Sequence, residues 1–279
     1  AFKKGIKTFD TSPLYGSGKS EISYGNALKN FKRDDFFITS KCGRILKEIN
    51  STNLATEKAI INDKADTIFD FSEKGIRISV EESLKRLKLD YLDSLLLHDP
   101  DQANMENEAV KHAFPAMMKI KEEGLVKNIG CGINQWQMPL RFYEYFDLDY
   151  VLLAGRYTLL ENSESKFFME KSKILNTKIT IGGPYNSGIL ARDLNSPVSY
   201  NYEVAPNYLI EKAKKIEEIT SNYGISLKSA ALNFLLSDEK VTSIVPGMSS
   251  KEEIDENISL AKESIPSELW SKLREHNYI

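Results

Sequence analysis

The sequence predicts an α/β fold, with short buried strands alternating with amphipathic helices around a parallel sheet. Three observations carry this. Seven short apolar runs are spread along the 279 residues. Most of the runs are near-continuously apolar, as strands buried on both faces are. The stretches between them have apolar residues at helical spacing. A typical domain size of about 150 residues suggests two domains, but α/β barrels reach roughly 250 residues as one. No linker, low-complexity tract or composition shift divides the chain.

The expected strands are Ile6–Phe9, Phe36–Ser40, Ser94–Leu97, Asn128–Gly132, Tyr150–Ala154, Lys178–Ile181 and Thr242–Val245. Between the second and third, Val80, Leu84 and Leu87 share one helical face, and Ser79 with Glu82 forms a capping-box pattern. The stretch AFPAMMKIKEEG ends at Gly124, and NYLIEKAKKIEEITSNYG, with Leu209, Ala213 and Ile216 on one face, ends at Gly224. The region Arg44–Gly75 is the least regular and reads either as a functional lid or as a tolerated surface insertion. Ala191–Ala205, with Tyr200 and Tyr202, is a second candidate loop.

Composition excludes several classes. Hydrophobic residues are 41% and charged residues 28%, which rules out a disordered chain. The net charge of −3 argues against a nucleic-acid partner, which calls for a basic excess. The two cysteines, Cys42 and Cys131, are too few for a disulfide framework and predict a reducing, cytoplasmic setting. No apolar run is long enough to span a membrane. Three histidines and two isolated cysteines offer no metal-ligand cluster.

Polar residues end the apolar runs. Asp10 ends the first, with Tyr15 on the following loop; Lys41 ends the second and His98 the third. Parallel strands bring their C-terminal ends to one face, so these four side chains are expected above one pocket. The quartet suits proton transfer. A free Tyr titrates near pH ~10, and an adjacent ammonium favours its phenolate. Asp10 would hold Lys41 charged, and His98 would orient a substrate oxygen. Each residue also has a bland reading: a turn-starting Asp, a solvated Lys, a packing Tyr, a loop-start His. Their joint position at successive strand ends favours chemistry.

The motifs FDTSPLYGSGKSE, ITSKCG and LLLHDPD resemble the aldo-keto reductases. LLAGRYTLLEN, GGPYNSGILA, YNYEVAP and IVPGMSS followed by EEIDEN resemble the aldose 1-dehydrogenase subgroup, and the resemblance spans Ala1 to Ile279. It implies one (β/α)8 TIM barrel domain, residues 1–279, that binds NAD or NADP without a Rossmann domain. It implies Tyr15 as general acid/base, tuned by Lys41 and Asp10, with His98 orienting the substrate. Gly182, Gly183, Pro184, Tyr185, Ser187 and Gly188 would lie beside the pyrophosphate. Gly247, Ser249, Ser250 and Asn257 would hold the adenosine end at a helix N-terminus. Asn134 is the candidate for the carboxamide, and Ala154 stands where relatives carry an amide.

Many relatives place cations where this chain has Ser249 and Asp255. A 2′-phosphate needs cations and Asp255 would repel it, so NAD is the expected cofactor, with Lys251 the opposing residue. The expected reaction is oxidation of an aldose at C1 to the aldonolactone. The rivals are NADPH-linked reduction of small aldehydes or ketones, pyridoxal oxidation, and a non-enzymatic barrel that senses the dinucleotide. Sugar selectivity is expected in Arg44–Gly75, Tyr185, Asn186, Tyr200–Tyr202 and near Trp270. The partner is a small-molecule sugar. The run Gly16–Ser20 imitates a phosphate loop, but Pro13 stands where that pattern needs Gly. A closed barrel has eight strands, so the first barrel strand is expected to precede Ala1.

Overall fold

A computed structural model describes residues 1–279, and each of the seven expected runs is a strand in it. In chain order the strands are β1 (Thr8–Asp10), β2 (Phe37–Cys42), β3 (Arg44–Glu48), β4 (Ala65–Phe69), β5 (Leu92–His98) and β6 (Val126–Ile133). They continue with β7 (Tyr150–Ala154), β8 (Lys178–Gly182), β9 (Ser199–Tyr200), β10 (Glu203–Val204) and β11 (Val241–Val245). The chain forms two units: Ala1–Ile133 with Gln137–Val151, and Asn134–Trp136 with Leu152–Ile279.

In the first unit β1, β2, β5 and β6 lie side by side in parallel. Every residue of β5 is buried, and Leu92, Leu95, Leu96 and Leu97 are fully so. That is the double-sided burial the unbroken apolar run implied. The register sets Asp10 opposite Thr39, Lys41 opposite Leu96 and His98 opposite Gly132. In the second unit β8 and β11 pair in parallel, with Gly182 opposite Val245. A core of Leu209, Ala213, Ile216, Leu227, Ala230 and Leu269 packs the helices of that unit.

The region Arg44–Gly75 is not irregular. β3 and β4 form an antiparallel pair from Arg44 opposite Phe69 to Glu48 opposite Ala65, and Glu57–Ile61 is a helix capped by Thr56. Alternating burial in β4, with Ala65 buried and Asp66 and Ile68 exposed, hides the pattern from a search for continuous apolar runs. Ser79 is not a cap. Its helix runs Glu73–Leu87 and is capped by Ser72, whose hydroxyl accepts from the Gly75 amide at 3.0 Å. Ser79 is buried inside that helix and donates to the Arg44 carbonyl at 3.0 Å. Val80, Leu84 and Leu87 are buried as their spacing predicts.

Gly124 and Gly224 follow helix ends with φ of 81° and 71°. Within Ala191–Ala205, β9 and β10 form a hairpin whose turn residues Asn201 and Tyr202 have φ of 50° and 66°. A two-residue turn with both central φ positive matches the right-handed strand twist. No helix is long and apolar enough to cross a membrane.

Candidate active site

The first unit assembles the titratable quartet at the C-terminal ends of its parallel strands. Asp10 is the last residue of β1, Lys41 lies one residue from the end of β2, and His98 is the last residue of β5. Tyr15 opens the turn Tyr15–Gly18 that leads into the helix Lys19–Leu28. The Lys41 ammonium donates to Asp10 Oδ1 at 2.6 Å and to the Thr11 carbonyl at 2.9 Å. It lies 4.6 Å from the centroid of the Tyr15 ring. The Tyr15 and His98 rings meet edge to face with centroids 6.0 Å apart.

Lys41 is 1% exposed, so it is not the solvated strand-end lysine of the bland reading. The chain makes room for it. A Cβ on Gly132 would lie 3.4 Å from Lys41 Cε, so the aliphatic stem runs past a residue with no side chain. Burial works against the ammonium, but the Asp10 carboxylate, Tyr15 and the hydrogen bonds to them raise its pKa above the usual lysine value. Lys41 therefore stays charged. Burial pushes the Asp10 carboxyl up while Lys41 pulls it down, and Asp10 Oδ2 has no hydrogen-bond partner.

The expected lowering of the Tyr15 pKa needs correction. Burial of the phenol raises it, and Asp10 and Asp99 add to the rise; the charge and hydrogen bond of Lys41 pull the other way. Lys41 thus offsets part of a larger penalty. Tyr15 is 39% exposed, the most open member of the quartet, as a group that must meet substrate has to be. Burial, with the nearby charges of Lys41 and Arg44, holds His98 well below the usual histidine value. At neutral pH it is a neutral imidazole, able to donate one hydrogen bond and accept another.

Two supports were not visible in the sequence. Glu21, fully buried, accepts from Ser40 Oγ at 2.7 Å and from Arg86 Nε at 2.7 Å. It ties the helix after the Tyr15 turn to the strand that carries Lys41. Arg44 donates to Asp99 Oδ2 at 2.9 Å, and that carboxylate oxygen is 3.5 Å from His98 Nε2. Cys42 and Cys131 are buried thiols whose pKa values burial pushes up, so neither is a nucleophile.

In the second unit the loop after β8 lines a cavity of about 490 Å³. Of the expected cofactor residues, Asn134, Gly183, Pro184, Tyr185, Ser187, Gly188, Gly247 and Asn257 line it. Three do not. Gly182 ends β8 against Leu152, 3.0 Å from where a Cβ would stand. Ser249 gives its amide and hydroxyl to Glu253 Oε2 at 2.6 and 3.0 Å. Ser250 caps the helix Lys251–Leu260 by accepting from the Glu253 amide at 3.1 Å. The carboxylate that lines the cavity is that of Glu253, not Asp255. Trp270 lines a separate cavity with Tyr157 and Phe234.

The cavity suits an extended anion. Gly183, Asn186, Ser187 and Gly188 all have positive φ, and the Asn186 and Gly188 amides close turns inside the loop on the Gly183 and Tyr185 carbonyls at 3.0 and 2.9 Å. Arg192 and Lys228 supply cations, and the Lys228 ammonium, paired with Glu256 Oε2 at 2.5 Å, sits 5.5 Å from the Tyr185 ring centroid. Tyr185 donates to Asn257 Oδ1, which anchors the loop to the helix Lys251–Leu260. The Tyr202 amide donates to Ser187 Oγ at 3.2 Å, which ties the β9–β10 hairpin to the same loop. Arg192, Lys228 and Glu253 escaped the sequence reading. Single charges beyond a glycine-rich loop and on later helices carry no local signature.

Comparison with known proteins gives the family. The model of the Aldo/keto reductase family matches residues 1–278. A D-threo-aldose 1-dehydrogenase of Pseudomonas sp is 36% identical, with 100% of this chain and 86% of the relative covered. A pyridoxal 4-dehydrogenase of Microbacterium luteolum is 31% identical, covering 99% and 85%. Among solved structures, an aldo-keto reductase from Bacillus halodurans in its holo form superposes with a TM-score of 0.76 at 20% identity, covering 98% of this chain and 83% of that one. The chain belongs to the aldo-keto reductase family, with its (β/α)8-like fold. It is an NAD(P)-dependent oxidoreductase.

Proposed function

We propose that this enzyme oxidises an aldose at its anomeric carbon, with NAD as the preferred cofactor, and releases the aldonolactone. The supporting observation is the charged Lys41 held between Asp10 and the Thr11 carbonyl beside Tyr15, with a neutral His98 alongside. The similarity to a D-threo-aldose 1-dehydrogenase supports the substrate class. Tyr15, as phenolate, takes the proton of the C1 hydroxyl, and Lys41 steadies the negative charge before transfer. Asp10 keeps Lys41 protonated. His98 donates to the C1 oxygen and fixes its direction. The C1–H bond breaks with both electrons, and the bound dinucleotide supplies the acceptor for that hydride. Gly183, Ser187, Arg192 and Lys228 would hold its phosphates. The 279 residues act as one barrel domain in this reading.

Glu253 supports the NAD preference. A carboxylate on the wall accepts a ribose hydroxyl well and repels a 2′-phosphate. Pyridoxal oxidation is the second reading, favoured by the similarity to a pyridoxal 4-dehydrogenase. It is the same removal of hydride and proton from a cyclic hemiacetal. A panel of L-fucose, L-galactose, D-arabinose and pyridoxal, assayed with NAD and NADP in parallel, tests these readings. Sugar oxidation with a higher kcat/KM for NAD is expected, and Glu253→Gln should narrow the NAD:NADP ratio by about tenfold. Higher efficiency with NADP in the unaltered enzyme contradicts the cofactor preference, and turnover of pyridoxal alone contradicts the sugar.

A further inference from the structure

We propose that Arg44 and Asp99 form the subsite that reads the hydroxyl vicinal to the reacting carbon, so that the enzyme requires a 2-hydroxylated aldose. The inference rests on the reading that Tyr15 and His98 hold the C1 oxygen. Asp99 Oδ2 is 3.5 Å from His98 Nε2 and 2.9 Å from Arg44 Nη2, so the ion pair begins where the quartet ends. An oxygen held by His98 places the oxygen on the neighbouring carbon about one hydrogen-bond length further on.

The pair is built rather than incidental. Arg44 is 9% exposed and its guanidinium stacks 3.9 Å from the centroid of the Phe69 ring across the β3–β4 hairpin. Its second contact is the long approach to Gln102 Oε1 at 3.5 Å. Yet Arg44 Nε is buried without a hydrogen-bond partner, and so is His98 Nδ1. A buried donor with nothing to bond is costly, and native proteins keep few of them. The guanidinium is committed to Asp99 and Phe69, and Asp99 is the member of the pair that lies beside His98. Asp99 itself sits at a φ of 49°, a left-handed backbone that a non-glycine residue adopts at a cost. That conformation sets its carboxylate between the guanidinium and the imidazole.

The chemistry matches a sugar hydroxyl. The Asp99 carboxylate accepts the proton of the hydroxyl, and Arg44 holds that carboxylate in place by donating to its Oδ2 at 2.9 Å. A site that bonds a substrate hydroxyl rejects an analogue without it far more strongly than an apolar pocket does, because its own polar groups are then left unpaired. A simple aldehyde or a 2-deoxy sugar would bring no hydroxyl proton to the Asp99 carboxylate.

The test compares the aldose most active in the panel with its 2-deoxy analogue, using the unaltered enzyme, Asp99→Asn and Arg44→Lys. The unaltered enzyme should favour the parent sugar by about 10²-fold or more in kcat/KM. Each variant should shrink that ratio to within about tenfold, because its loss of kcat/KM on the parent sugar exceeds its loss on the 2-deoxy sugar. Equal loss on both sugars makes the pair a structural ion pair and overturns the proposal. Equal turnover of parent and 2-deoxy sugar by the unaltered enzyme overturns it without recourse to any variant. Failure to oxidise any aldose overturns the sugar reading itself and is thus a distinct result.

Discussion

Lys41 is a charge that bulk water does not reach, and the first unit is arranged to keep it charged. Asp10 and the Thr11 carbonyl hold two of its donor directions, and Tyr15 takes the benefit of its field. Lys41→Met would remove that field and leave Asp10 unopposed beside the phenol. Both changes raise the Tyr15 pKa. Oxidation needs the phenolate, so its rate rises with pH through that pKa. The rising limb of kcat/KM should therefore move to higher pH by at least about one unit in Lys41→Met. A limb that stays in place separates Lys41 from the base. The quartet was legible because each member interrupts or follows an apolar run. Arg44, Asp99 and Glu253 were not legible as partners, because what joins them to the sites is a distance between elements remote in sequence. Asp255 drew attention as a carboxylate by its place before Glu256 and Asn257, while the neighbouring helix turn put Glu253 on the cavity wall.

Among the elements, the helix Lys19–Leu28 bears the strictest demand, for it follows Tyr15 and carries a fully buried carboxylate. Glu21 is balanced by Arg86 from the helix Glu73–Leu87 and by Ser40 from β2. Glu21→Gln would leave the Arg86 cation buried without its counter-charge. Urea unfolding should show a loss of roughly 3–5 kcal/mol, and a loss under about 0.5 kcal/mol would show the pair to be inert. The parallel strands β2, β5, β7 and β8 were readable because burial on both faces writes an unbroken apolar run, whereas β1 and β11 are mostly not buried. The β3–β4 hairpin was missed because one of its strands alternates between buried and exposed positions. The Ser79 capping pattern misled for a related reason. Spacing alone cannot distinguish a helix start from a buried hydroxyl that bonds a neighbouring strand.

Across the whole chain the chemistry is divided. The proton-handling quartet is built within the first unit, and the anion-holding loop and its cations are built within the second. The family and its barrel fold were legible from motifs that run the length of the chain, and the family match covers residues 1–278. Cavity walls were not, since they depend on which side chains other elements bring to them. The division makes a sharp expectation, because a change to the base should leave dinucleotide binding alone. The most direct test is therefore Tyr15→Phe, measured for aldose oxidation with NAD and, by titration, for NAD affinity. Turnover should fall by about 10²–10⁴-fold while the Kd for NAD changes by less than about threefold. Full turnover in Tyr15→Phe would show that the proton leaves by another group and would contradict the account.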